Sequence, residues 1–373
     1  MRRSNKEKRS HINYIIILLS LLFSCSQQGD NNNNPDKDLL PEAAGEIVEV
    51  LVVIDSTKWA GPVGDFFRES LGAAIPGLPQ DEPYFTLRRI DPFKMNSILK
   101  AAKNIIYVTI LDDNSRAGVF MRNNITPESI ERIKNEPDLF MYTKQDQYAR
   151  GQEITHLFGT DDASLLNNLN KNKDRLMNYF QQTANTRTSA ELYSKGEKKN
   201  ITKKIADKYK FSIRVPNGYH IADEKENFLW LRFLDKEVDK SIIVYFKDYT
   251  SQEVFKEENL LALREEITST YLRDVEKPEL YITYQDMLPM KANATTFHNE
   301  FAMEAYGLWR VNDNSLGGSY KSLAFVDQEL NRLYYVEGFV SAPGKNKREA
   351  LRELEVIMST FKNQSQLVNQ INS

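Results

Sequence analysis

The chain holds one cysteine, Cys25, and that thiol stands directly behind a short apolar run near the N-terminus. No disulfide or thiolate cluster can form after it, so the fold that follows must be held by apolar cores alone. In front of it, residues 1–11 carry Arg2, Arg3, Lys6, Lys8 and Arg9 against one acid, Glu7. Residues 15–23 are then apolar apart from Ser20, and Ser24 supplies a small residue before the thiol. A basic start, a short apolar stretch and a small residue at its end form the order of a secretory signal. The run is too short to span a membrane, which takes roughly 20 apolar residues.

The segment Leu22-Phe23-Ser24-Cys25 resembles the lipobox of bacterial lipoproteins. The resemblance implies cleavage after Ser24 and lipidation of Cys25, with fatty acyl chains such as palmitate as the anchor. More than one chain is needed for stable anchoring. The first acid after the cysteine is Asp30, behind Ser26, Gln27, Gln28 and Gly29, which favours a periplasm-facing position in the cell envelope. Removal of residues 1–24 leaves 44 basic against 51 acidic residues, a net charge of −7. Such a body has no electrostatic reason to bind nucleic acid or an anionic lipid surface.

The remaining length suggests two domains of about 150 residues each. Residues 25–45 are polar and Asn-rich and are expected to be a flexible tether. Residues 46–186 carry strand patterns at 47–54, 84–90 and 104–111, with helices at 62–71 and 96–103 between them, a β-α-β-α-β order. After these we expect a helix capped by Thr126, a short helix near 145–149, a strand at 152–158, and a helix from Asp161 to Phe180. Residues 187–208 are expected to be a helical connector. Residues 209–366 alternate as strands at 211–216, 228–233 and 241–246, then a helix at 260–272. Strands at 281–285, 295–298, 302–309, 320–326 and 332–340 follow, with a closing helix at 347–361. Residues 367–373 are expected to be a tail. The fold class is therefore α+β: two mixed α/β sandwich domains, the second an antiparallel sheet flanked by helices.

Two family resemblances add to this. The segments Val48, Leu51-Val52-Val53, Asp55, Trp59, Gly61, Leu78-Pro79-Gln80, Glu82-Pro83, Phe85, Asn104-Ile105-Ile106, Tyr148-Ala149, Gly151-Gln152 and Trp230-Leu231-Arg232 resemble a Bacteroidota lipoprotein family of unknown function. That resemblance implies envelope location and carries no activity. Separately, residues 211–216, Gly218-Tyr219, Tyr334-Tyr335-Val336-Glu337-Gly338-Phe339 and Ser359-Thr360-Phe361 resemble the PsbP-like fold. Its members are mostly binding or assembly modules, but fold does not fix function.

Motifs that carry chemistry are sparse. His156, His220 and His298 stand apart from one another and from any His-Glu-x-x-His spacing, so no metal is expected. His156 alternates with Ile154 and Phe158 and reads as packed in a strand. No Gly-x-Gly-x-x-Gly or Walker loop supports a nucleotide, and no cofactor is expected. Asn314 to Ser319 lacks the first glycine of a nucleophile elbow and reads as a hairpin loop.

Asp55 falls at the carboxyl end of the first strand, where open α/β sheets place ligands, though a capping role fits it as well. Trp59, Pro79 and Glu82 lie in loops after the first strand and before the second, common binding positions. They are the remaining candidate binding residues, against the alternative that Trp59 anchors a core. The expected function is a non-enzymatic envelope binding or assembly module with a protein or glycan partner. The alternative is an envelope hydrolase using paired carboxylates, a pair that only folding could bring together.

Overall fold

The computed structural model describes residues 39–371. The expected signal peptide, Cys25 and most of the expected tether lie outside the described residues. Two sheets are built in chain order.

The first half begins with β1 (Glu49–Val53), a fully apolar run after Glu49, then α1 (Ser56–Ala60) and α2 (Pro62–Glu69). Next come β2 (Thr86–Ile90), α3 (Ser97–Lys100), β3 (Asn104–Ile110), α4 (Arg116–Arg122) and α5 (Pro127–Asn135). Strands β4 (Met141–Gln145) and β5 (Glu153–Gly159) complete a sheet of order β2-β1-β3-β5-β4. All neighbours in it are parallel except the β4–β5 pair. One face packs Val50, Val52, Ile106, Val108 and Leu157 against Phe67, Leu165 and Leu176. The other packs Leu51, Val53, Ile105 and Ile154 against Met121. Burial on both faces explains why β1 and β3 read as continuous apolar runs.

Helices α6 (Asp162–Lys171), α7 (Lys173–Ser194) and α8 (Lys199–Tyr209) lead to the second half. There β6 (His220–Glu224), β7 (Phe228–Leu234) and β8 (Asp239–Asp248) precede α9 (Glu257–Tyr271). Five strands follow: β9 (Ile282–Gln285), β10 (Lys291–Phe297), β11 (Glu300–Val311), β12 (Gly317–Asp327) and β13 (Arg332–Ser341). Helices α10 (Arg348–Met358) and α11 (Gln364–Ile371) close the described chain. The antiparallel sheet runs β10-β11-β12-β13-β8-β7-β6, with β9 also on β11. Alternation sends Ile242, Val244, Tyr334 and Val336 toward α10, and Ile243, Tyr245, Tyr335 and Phe339 toward α9. The architecture is α+β, with helices flanking both sheets, as the residue pattern indicates.

From Leu40 onward the described residues form one compact unit. Helix α10 packs on β13 and also on α7, so it touches both halves. Among the described residues no helix is long and apolar enough to cross a membrane.

Several local expectations are corrected. Residues 42–44, assigned to the tether, pair with the first half: Ala43 N donates to Arg150 O at 2.9 Å and Ala44 N to Ala101 O at 2.8 Å. The helix expected near 145–149 is instead the end of β4 and a reversal, with Asp146 at φ 52° and Gly151 at φ 76°. Residues 211–216 alternate correctly, with Phe211, Ile213 and Val215 fully buried, but they make only isolated bridges at Ser212 and Pro216. Period-2 burial thus occurs without a ladder. The helix from Asp161 breaks at Asn172 and resumes to Ser194, absorbing the start of the expected connector. The expected tail instead contributes to α11, which runs to Ile371.

Candidate binding grooves

The strand order of the first sheet reverses between β1 and β3, which makes their carboxyl ends the expected ligand position. Asp55 lies there and caps α1, accepting from Thr57 N at 2.8 Å. Burial pushes its carboxyl up, but hydrogen bonds from Thr57, Ser56 and Lys58 outweigh that and hold it below its ordinary value. Lys58 pairs with Asp162 at the start of α6. Burial pulls the Lys58 ammonium down, yet Asp162, Asp113 and Asp112 carry it above its ordinary value. The space left between Asp55, Lys58, Asp113 and Met121 is about 10 Å³. A Cβ on Gly118 would stand 2.3 Å from Asp113 Cγ, so the glycine lets α4 close over this point. The position is filled by the chain's own ion pair.

Trp59 and the 78–83 loop do not share a surface. Strands β1 and β2 are parallel, with Glu49 opposite Thr86 and Val53 opposite Ile90. The loop after β1 and the loop before β2 therefore stand at opposite ends of the pair. Trp59 is half-buried, stacked 6.3 Å from Phe67 with the Arg68 guanidinium 5.2 Å over its ring. Pro79 is exposed on the rim of a separate groove of about 390 Å³ with Trp309, Leu316 and Pro343.

Glu82 is 4 % exposed and accepts from Lys347 N at 2.8 and 3.0 Å and from Arg348 N at 2.9 Å. Helix α10 has no side-chain cap of its own, so Glu82 satisfies its first N–H groups from the other half. No local pattern in the sequence could show that contact, since 265 residues separate the partners.

In the second half, Arg264 of α9 is 1 % exposed and binds Glu337 of β13, itself fully buried. The two bonds, Nε to Oε2 and Nη2 to Oε1, are both 2.9 Å. Tyr335 donates to the same carboxylate at 2.5 Å, and the Arg264 guanidinium lies 3.8 Å over the Tyr320 ring. Burial opposes the Arg264 charge, but the Glu337 carboxylate more than restores it. A groove of about 660 Å³ takes lining residues from both sheet edges, among them His220, Trp230, Arg273 and Tyr281. Its Arg232 is already bidentate to Asp239. His298 sits in the β10–β11 turn, its Nε2 2.6 Å from Phe361 O. Asn314 forms the β11–β12 hairpin at φ 63°.

His156 lies in β5 directly opposite Tyr142 of β4 and stacks 5.2 Å from Tyr107. Burial, aided by Lys144, pushes the imidazole below its ordinary value, which keeps it neutral at neutral pH. It lines a groove of about 540 Å³ between the β4–β5 edge and α5. Burial holds the Glu153 carboxyl above its ordinary value, and its oxygens are taken by Tyr179 and Gln145. Among the described residues no group of three or more His, Cys, Asp or Glu could hold a metal ion.

Two family matches divide the chain. Residues 43–193 match a family described as a domain of unknown function, DUF8532, and residues 198–360 match another, DUF4837. No curated protein matches. Among solved structures, the Saccharomyces cerevisiae Ran-binding protein Mog1p is 10% identical, covering 42% of this chain and 90% of that one at a TM-score of 0.28. A Mog1 mutant is 12% identical, with 41% and 90% covered at a TM-score of 0.27. Scores this low carry no argument about fold or function. The boundary between the two family matches falls in the α7–α8 junction, and both halves are similar to domains of unknown function.

Proposed function

We propose that this chain is an envelope lipoprotein of Bacteroidota type, anchored through acyl chains on Cys25, whose body binds a partner rather than catalysing a reaction. One observation carries the reading. The ligand position of the parallel sheet is closed by Lys58 and its aspartates, whereas open grooves of about 390 to 660 Å³ lie elsewhere on the body. These volumes are in the range of small-molecule and peptide sites. The envelope location rests on residues 1–25 and on the family resemblance. The PsbP-like reading of the second half belongs to the same proposal. An antiparallel sheet held between α9 and α10 supports it, with Tyr334 to Phe339 in a central strand.

The anchoring is tested by Cys25→Ser. Fatty-acid labelling disappears and the protein moves to the soluble fraction. Unchanged labelling and persistent membrane association remove the lipoprotein claim. The binding role is tested by crosslinking in intact envelopes, where one or a few discrete partners are expected. Turnover of purified cell-wall material by the full chain, lost on neutralising a groove carboxylate, would overturn the non-enzymatic reading.

A further inference from the structure

The groove between β4, β5 and α5 combines positive charge, with no carboxylate in its lining, with an exposed aromatic rim. Its ionisable cations are Arg132 and Lys144, and no carboxylate lines it. The chain as a whole is acidic, with a net charge of −3. In two of the other grooves the cations meet counter-charges, Arg232 with Asp239 and Lys103 3.8 Å from Glu191. The groove of about 390 Å³ has Arg310 and Lys347 without a carboxylate, but its aromatic residue, Trp309, is buried. Arg132 leans on Glu136 of its own helix at the surface. Lys144 makes no ion pair among the described residues, and its charge acts on His156 beside it.

The same groove has an aromatic rim. Tyr142 is 58 % exposed on an edge strand, with its ring tilted against His156 at 6.3 Å, and His156 in turn lies flat on Tyr107. Tyr142 and Lys144 are two residues apart on one strand, so they present to the same face. By contrast, Trp230 in the groove of the second sheet is already covered by Arg232, 5.5 Å from its centroid. An open tyrosine face, an unneutralised ammonium and neutral polar groups from Gln147, Ser129 and His156 surround one space. That set suits a ring with an apolar face, several hydroxyls and a negative charge.

We propose that this groove binds an acidic saccharide, its ring stacked on Tyr142 and its carboxylate or phosphate held by Lys144 with Arg132 behind it. An aromatic acid would satisfy the tyrosine and the lysine but would make no use of the polar groups of Gln147, Ser129 and His156 around the same space, which ring hydroxyls can reach. The assignment rests on the binding-module reading and gives it a ligand class.

Titration of the full chain tests it, read by calorimetry and by the His156 ring signals in NMR. The probes are oligogalacturonate for the carboxylate, mannose 6-phosphate for the phosphate, cellotriose as an uncharged saccharide and benzoate as an aromatic acid. At least one charged saccharide should bind and shift His156, weakening as salt is added, while cellotriose binds far more weakly. Which charged probe binds tighter distinguishes carboxylate from phosphate. Lys144→Gln and Tyr142→Ala, both at exposed positions, should each weaken binding about tenfold or more, as expected for loss of a charge-assisted contact or a stacking face. Silence of every probe at millimolar concentration overturns the site, as does binding that both variants leave intact. Benzoate binding as tightly as the sugars overturns the saccharide assignment. If envelope crosslinking still captures a partner while this groove is silent, the broader binding reading stands and this one falls.

Discussion

Two charged sites, one in each sheet, are built in opposite ways. The antiparallel sheet buries a guanidinium and a carboxylate together, Arg264 and Glu337, with two hydrogen bonds between them and Tyr335 as a third partner. The first sheet leaves the ammonium of Lys144 on its antiparallel edge strand, beside an exposed tyrosine. A buried pair of this kind contributes mainly by making any half-pair costly, not by net attraction. An edge cation contributes little to folding and is free to meet a ligand. The comparison therefore separates residues that hold the fold from residues that face a partner.

The largest effect should come from breaking the buried pair. Arg264→Met leaves Glu337 charged and unpaired in the core, a loss of about 3 to 5 kcal/mol. The double variant Arg264→Met with Glu337→Leu should recover much of that loss in a denaturant melt. A double variant as unstable as the single one would mean that packing, not unpaired charge, sets the cost.

Next comes Trp59, half-buried between Phe67 and Arg68. Full truncation of a buried aromatic costs about 3 to 5 kcal/mol, so Trp59→Ala, with part of its ring in water, should cost roughly 2 kcal/mol. A near-neutral melt would turn Trp59 back into a candidate recognition residue.

Glu82→Gln keeps the shape but weakens the cap of α10, and should cost about 1 to 2 kcal/mol in thermal unfolding. Because Glu82 and α10 belong to different halves, the variant should also increase proteolysis near the α7–α8 junction. Unchanged proteolysis there would mean that the joint does not depend on this cap.

The smallest effect is a pH dependence. The folded chain holds His156 below its ordinary value of 6.5, so the unfolded state binds the proton more readily. His156 therefore costs nothing at pH well above 6.5 and lowers stability as pH falls through 6.5 toward the depressed folded value. His156→Gln should flatten the stability profile in that window, read by melts at stepped pH. An unchanged slope would assign the dependence to other groups.

How much of this was legible follows from where each signal resides. Strands β1 and β3 are largely apolar runs and were read directly, as was the amphipathic helix α10 with Leu351, Leu354 and Ile357 inward. Strand β4 was missed because Met141-Tyr142-Thr143-Lys144-Gln145 is an exposed edge strand with almost no buried side chain to create a pattern. Residues 211–216 gave the right inward set but not the missing ladder, since burial and hydrogen bonding are separate properties of a segment. Asp55 was placed correctly at a strand end, yet the closing of that point by Lys58 and Asp162 depends on contacts across 104 residues. His156 was noticed alone. Its partner Tyr142 was not, although an exposed tyrosine alternating with lysine on one short segment was the available signal.

The separation of fold-holding from partner-facing charge is tested most directly by one melt series. Wild type and Lys144→Gln are heated with and without a saturating acidic saccharide, oligogalacturonate or mannose 6-phosphate, whichever the titration favours. A ligand that binds only the folded state raises its melting temperature. The two proteins should melt together without ligand, because the exposed lysine adds within about 0.5 kcal/mol to stability. With ligand, only the wild type should melt later. A variant that melts earlier without ligand, or rises with ligand as far as the wild type, would contradict the account.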